Sequence, residues 1–180
     1  MSDDVIRVDH LSAYTGGWVG LTFTPGKHGP GLDKVPDRDL DADIATLHDA
    51  YAIDTFVWLI EDHEVPMLNV ERLPDAMAAA GIEVLRHPIV DVNVPTNHAS
   101  FRVFLDDLHR RLANGERVAI ACRGGCGRTG VVAACLLVDK GMDADAAIKA
   151  TRKARSCTIE VPVQERFVRD WEWHPPDGLA

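Results

Sequence analysis

The chain has 180 residues, 46% of them hydrophobic and 26% charged, which suits one globular domain with a full core and is too short for two. Its net charge of −9 argues against general attraction to nucleic acid or anionic membrane surfaces. No apolar run approaches the ~18–20 residues of a membrane span, and the acidic start MSDDVIRVDH carries no apolar signal core.

In chain order, YTGGWVGLTFT at 14–24 sets aromatic and β-branched residues beside Gly-Gly and predicts an extended or hairpin segment. Residues 25–38 are dense in Pro and Gly and read as a loop. A helix near 41–51 and the strand DTFVWLI follow, then a polar loop and a helix carrying Ala76 to Ala80, stopped by Gly81. IEVLRHPI reads as a strand and VDVNVPTN as a loop. Over 98–113, Phe101, Phe104, Leu105, Leu108 and Leu112 recur at helical spacing. RVAIA is a short buried strand, and a buried helix over 129–140 stops at Gly141. Asp143 can cap a helix through Arg152, and Pro162 can open a last one through Trp173. The fold class implied is α/β: a mostly parallel central sheet flanked by helices, in one domain over 1–180. Ligands of such sheets sit at the C-terminal strand ends.

That edge is where CRGGCGR lies, between a buried strand and a helix N-terminus. The helix offers unpaired N–H groups and a partial positive charge. Gly124, Gly125 and Gly127 let the backbone of 123–128 curl so that successive N–H groups converge on a tetrahedral oxyanion. Arg128 adds a planar, permanently charged fork. Cys122, beneath this cradle, is expected to favour the thiolate and to serve as an in-line nucleophile. A nucleotide-binding G-x-x-x-x-G-K-[ST] loop is excluded, because its first Gly falls on Cys122 and its Lys on Arg128.

Cys122-x₅-Arg128-Thr129 resembles the signature of the cysteine-dependent protein tyrosine phosphatase superfamily. The wider pattern is similar to its dual-specificity branch, in particular the cyclin-dependent kinase-associated phosphatase group. GLTFTPGK, HPIVDVNVPT, CRGGCGRTGVVAACLL and VPVQERFV carry the resemblance over residues 18–170. It implies hydrolysis of phosphomonoesters through a cysteinyl-phosphate, on phosphotyrosine or on phosphoserine and phosphothreonine of protein substrates, with no cofactor or metal. Cys122 would then be the nucleophile. Arg123, Gly124, Gly125, Cys126, Gly127 and Arg128 would bind phosphate, and Asp91 would be general acid and then base. Thr129 would stabilise the leaving thiolate and Gln164 would orient water. One departure stands out: the family usually places His before the cysteine, and this chain has Ala121.

Other readings sit beside these. Asp106 and Asp107 are alternative acids, but their helical pattern looks like a solvated face. Cys126 is either a resolving partner for Cys122 or a small filler at the loop apex. Cys135 reads as core and Cys157 as a loop residue without a role. The four cysteines do not look like a disulfide framework, and a reducing, cytoplasmic compartment is expected. The eight His lack ligand spacing. Trp171 and Trp173 read as anchors of the last helix. An oxyanion reductase of the arsenate type, a sulfurtransferase, or a catalytically weak phosphate-binding module are the alternatives; the reductase would need a Cys122–Cys126 relay.

Overall fold

The computed structural model describes residues 5–28 and 38–171. Five strands, β1 (Asp9–His10), β2 (Trp18–Phe23), β3 (Thr55–Trp58), β4 (Glu83–Arg86) and β5 (Arg117–Cys122), form one sheet in the order β1-β2-β5-β3-β4. β2, β5, β3 and β4 are parallel neighbours, and β1 pairs antiparallel with β2. The helices are α1 (Leu40–Asp49), α2 (Glu64–Met67), α3 (Leu73–Ala79), α4 (His98–Ala113), α5 (Gly127–Asp139), α6 (Ala144–Ala154) and α7 (Pro162–Arg169). The mostly parallel α/β architecture expected from the alternation of strands and helices is the one observed.

Strand alternation divides the core in two. Val118, Ile120 and Cys122 of β5 join Val19, Leu21 and Val57 on the face covered by α4, α5, α6 and α7. Ala119 and Ala121 join Phe56 and Trp58 on the opposite face, with Ile44, Leu47 and Met77 from α1 and α3. All thirteen residues of α5 are buried. Such burial explains why that stretch reads as apolar all round rather than as a stripe. An aromatic cluster of Phe101, Phe104, Phe167 and Trp171 ties α4 to α7.

The helix expected over 98–113 has those bounds, with Asn97 capping Ser100 N–H. Asp143 caps Ala146 N–H at the start of α6, and Gly81 and Gly141 follow α3 and α5 with φ of +79° and +84°. Several element ends differ from the sequence reading: α1 closes at Asp49 rather than near 51, and α6 runs past Arg152 to Ala154. A short helix, α2, interrupts what reads as a polar loop, because Glu64 turns inward. α5 begins at Gly127, two residues early, and α7 stops at Arg169. Residues 29–37 of the Pro/Gly-rich loop, and Trp173, fall outside the described residues. Trp171 packs as the expected anchor, 6% exposed. Among the described residues no helix is long and apolar enough to cross a membrane.

Phe101 is fully buried and meets four rings, stacked on Phe104, edge-on to Phe167 and Trp171, and tilted against His87. Phe101→Ala should cost roughly 3–5 kcal/mol, as large-to-small core changes do, and urea denaturation should show a lowered midpoint.

Candidate active site

Cys122 ends β5, with its side chain on the α5 side of the sheet, 3% exposed and free. Its carbonyl accepts from Thr24 N–H at 2.9 Å and from Thr24 Oγ1 at 3.1 Å. Thr24 Oγ1 in turn accepts from Trp58 Nε1 at 3.1 Å. Ala121, one residue back, points into the other core beside Trp58, its register partner on β3. The large indole fills the space next to the small alanine and anchors the strand end through Thr24.

Beyond Cys122 the backbone curls as expected. Gly125 has φ +71°, and a Cβ there would lie 2.2 Å from the Thr22 carbonyl oxygen, so only glycine fits this crossing over the end of β2. Lys27 Nζ donates to the Arg123 carbonyl at 2.8 Å and Arg155 Nη2 to the Gly124 carbonyl at 3.1 Å. Two of the loop's carbonyls are thereby held by cationic side chains. One amide is already taken: Gly127 N–H donates to the Glu160 carboxylate at 2.7 Å.

Arg128, in the first turn of α5, is 1% exposed. Nη1 and Nη2 form a fork onto Glu64 at 2.5 and 2.9 Å. Nη1 also donates to the Ile89 carbonyl at 3.1 Å, and Nη2 lies 2.8 Å from Asp91 Oδ1. Its Nε has no partner, and neither does the fully buried Oγ1 of Thr129. Burial opposes the Arg128 charge, but the Glu64 fork and the negative charges of Cys122, Glu64 and Asp91 hold its pKa above the ordinary arginine value. Burial likewise pushes the Glu64 carboxyl upward, and its bonds from Arg128 and from Glu61 N–H outweigh that and hold it below 4.5.

Asp91 sits on the exposed loop after β4, so the structure brings Cys122, Arg128 and Asp91 to one end of the sheet. Gln164 is fully buried on α7. Its Oε1 accepts from Glu160 N–H at 2.9 Å and its Nε2 donates to the Asn93 carbonyl at 3.1 Å, which ties the Asp91 loop to the segment before α7. Asp107 lies elsewhere. It pairs with Arg110 and Arg111, and Arg111 also bridges Glu83 and Glu116 at the opposite, N-terminal edge of the strands.

The cysteine reading is corrected. Cys126 forms a disulfide with Cys157, Cα–Cα 5.2 Å, while Cys122 and Cys135 are free. Neither the apex-filler role for Cys126 nor a Cys122–Cys126 relay is what the fold builds. The two partners are 31 residues apart, but α5 and α6 run out and back, and their return brings Cys157 against the loop apex. Spacing alone carries no sign of that. Glu64, Lys27, Arg155 and Glu160 were also not singled out, since in sequence they read as ordinary surface charges. Among the described residues no cluster of three or more His, Cys, Asp or Glu could hold a metal.

A free cysteine thus lies at a strand end, beside a glycine loop that leads to a buried arginine at a helix N-terminus. The family model "Tc-R-P: Polymorphic toxin system, DSP-PTPase phosphatase" matches residues 39–142, more than half of the chain, and the protein belongs to this DSP-PTPase phosphatase family. The chain is 31% identical to cyclin-dependent kinase inhibitor 3 of Rattus norvegicus over 123 residues, and 34% identical to that of Homo sapiens. Each match covers 67% of this chain and 54% of the relative, so the chain spans about half the length of these curated proteins. The structure of kinase associated phosphatase (KAP) with its catalytic-site cysteine changed to serine superposes with a TM-score of 0.81 at 27% identity, covering 91% of this chain and 92% of that one. PTPMT1 in complex with PI(5)P shares the fold, with a TM-score of 0.69 at 20% identity over 91% of this chain and 93% of that one. The family match supports phosphoester hydrolysis by a cysteine-based mechanism, and the PTPMT1 likeness shows the fold.

Glu64→Gln keeps the shape of the buried pair but leaves Arg128 without its counter-charge. It should destabilise by ~3–5 kcal/mol, as breaking a buried pair from one side does. The Glu64 pKa is depressed on folding, so its contribution is complete above about pH 4.5 and is lost as pH falls through the lower folded value. The acid limb of stability against pH should therefore flatten in Glu64→Gln, as read by denaturation at several pH values. Separately, Cys126→Ser with Cys157→Ser opens a long covalent loop and should lower stability by ~2–4 kcal/mol. Dithiothreitol should produce the same loss in the wild type and none in the double variant.

Proposed function

We propose that the protein hydrolyses phosphomonoesters on tyrosine, or on serine and threonine, of protein substrates, with residues 18–170 acting as one catalytic unit. The observation that carries the reading is the guanidinium of Arg128. It is pinned by Glu64 and Ile89 at the exit of the loop, with a buried Nε–H still lacking an acceptor. A buried unsatisfied donor is costly, and a phosphoryl oxygen above Cys122 would satisfy it.

In this reading the Cys122 thiolate attacks phosphorus in line while the P–O bond to the leaving oxygen breaks. Asp91 gives that oxygen its proton. Arg128 and the amides of Arg123, Gly124, Gly125, Cys126 and Arg128 hold the other oxygens as charge spreads over them, while the Gly127 amide, engaged by Glu160, only shapes the loop. Water then attacks the cysteinyl-phosphate, Asp91 takes its proton, and the S–P bond breaks. The orphaned Thr129 hydroxyl is the donor we assign to the departing thiolate. Gln164 has both ends of its carboxamide engaged, so we assign it to fixing the Asp91 loop through Asn93 rather than to orienting water.

Two features favour protein substrates over phosphoinositides. The cations beneath the loop are turned to its own carbonyls, Lys27 to Arg123 and Arg155 to Gly124, which leaves them poorly placed for a second phosphate. The acid is also flanked by exposed Val90 and Val92, an apolar lip suited to a phenyl ring. The compartment goes with the proposal: a cytoplasmic enzyme would hold Cys126 and Cys157 reduced, an exported one would hold them bridged.

Turnover of phosphotyrosyl and phosphothreonyl peptides and of a phosphoinositide, side by side, tests the substrate; a preference for the lipid would overturn it. Cys122→Ser should abolish turnover of all three. Asp91→Asn should slow substrates with poor leaving groups by roughly 10²–10⁴-fold and aryl phosphates with good ones far less. An equal loss on both would move the acid elsewhere.

A further inference from the structure

Gly127 opens α5 and is not among the residues with positive φ, so no left-handed turn calls for a glycine there. Close approach does. A Cβ at Gly127 would lie 2.5 Å from Glu160 Oε2 and 2.7 Å from Gln164 Nε2. The missing side chain admits a carboxylate to the loop, and Glu160 Oε2 accepts from the Gly127 N–H at 2.7 Å. Glu160 thereby gives α5 the cap that the side chain of Cys126, its N-cap residue, does not supply.

The carboxylate is held in place from behind. The Glu160 N–H donates to Gln164 Oε1 at 2.9 Å, and Arg152 Nη2 holds the carbonyl of the preceding, buried Ile159 at 2.8 Å. The same segment presses on α5, where a Cβ at Gly130 would lie 2.7 Å from Ile159 N, and Cys157 ties it to the loop apex. Glu160 is exposed, and among the described residues no cationic side chain pairs with it. The nearby arginines of its own segment are turned elsewhere, Arg152 to Glu165 and Arg155 to Asp9. Lys27 and Arg38 gather with Arg155 around the Phe23 ring, on the β2 side of the loop. A fixed negative charge without a counter-ion therefore stands one residue from Arg128, at the edge of a loop suited to an anion.

We propose that Glu160 is a specificity-determining residue whose carboxylate selects substrates with a basic residue beside the phosphorylated one and disfavours those with a second anion there. A phosphoryl dianion in the loop is repelled by this carboxylate. A lysine or arginine of the substrate relieves the repulsion by pairing with Glu160, whereas a glutamate or a second phosphate adds to it. An unfavourable contact built against the wrong partner is one of the two routes to selectivity. The inference rests on the proposed hydrolysis of phosphorylated proteins and specifies the sequence context that this reaction prefers. One arm of its test reads anion binding alone and does not need turnover.

The experiment compares the full chain with Glu160→Gln, which keeps an oxygen to accept from Gly127 N–H and removes only the charge. The first arm measures kcat/KM for phosphotyrosyl peptides of one sequence with Arg, Ala or Glu on both sides of the phosphotyrosine. Wild type should prefer them in that order. Glu160→Gln should narrow the ratio between the Arg-flanked and Glu-flanked peptides by roughly five- to tenfold, the scale of an interaction between charges a few ångströms apart in a watery setting, and the difference between the two proteins should shrink with added salt. A ratio that the substitution leaves unchanged overturns the proposal, and so does a wild type that favours the Glu-flanked peptide. The second arm titrates inorganic phosphate into both proteins and follows the amide NMR signals. Glu160→Gln should bind phosphate more tightly by a similar factor, whereas a carboxylate that only caps α5 predicts equal or weaker binding, and either of those results overturns the proposal. Tighter phosphate binding by Glu160→Gln with no turnover of any peptide by either protein would sink the proposed reaction and still support Glu160 as the group that selects the anion.

Discussion

The buried pair between Arg128 and Glu64 is the constraint on which the site depends. A guanidinium in the first turn of a fully buried helix has to be neutralised within the protein, because water cannot reach it. Glu64 does this from the short helix after β3, the Ile89 carbonyl helps from the segment after β4, and Asp91 meets the same group from the loop beyond. Arg128 itself follows β5. The C-terminal connections of three adjacent parallel strands therefore converge on one side chain. The strand order β5-β3-β4 makes this possible, since parallel neighbours deliver their exits to the same edge.

The loop is held with comparable care on its other sides. Two of its carbonyls are held by Lys27 and Arg155, its apex is bonded to Cys157, and the amide of Gly127 is met by Glu160. These contacts come from the turn after β2 and from the segment between α6 and α7, regions far apart in sequence. A loop fixed in this way has its donors oriented before any anion arrives, which is the condition under which backbone dipoles contribute most to binding developing charge. Gln164 extends the same framework to the Asp91 loop through Asn93. The Asp91 loop itself remains exposed, with Val92 at φ +56°, a conformation β-branched residues rarely adopt.

Much of this was legible in the chain alone, and for local reasons. Helix and strand periodicities are short-range, so α4 could be bounded from five apolar residues. The glycines, Cys122 and Arg128 occupy one continuous stretch, so the spacing itself declares an anion loop at a helix N-terminus. Asp91 could be placed after β4 because it follows a strand that ends at the same edge as β5.

What sequence could not decide depends on long-range return of the chain. Nothing in EDHE marks Glu64 as the partner of an arginine 64 residues later. Nothing in the 31-residue separation joins Cys126 to Cys157, because the α5–α6 hairpin that closes the distance is visible only in three dimensions. Lys27 reads as one more surface charge until the Gly26 turn folds it inward. The residues proposed to carry the chemistry lie in local sequence patterns. The groups that hold them in place, and set their charge, were decided by tertiary packing, because burial and charge compensation are properties of a site and not of a stretch of chain.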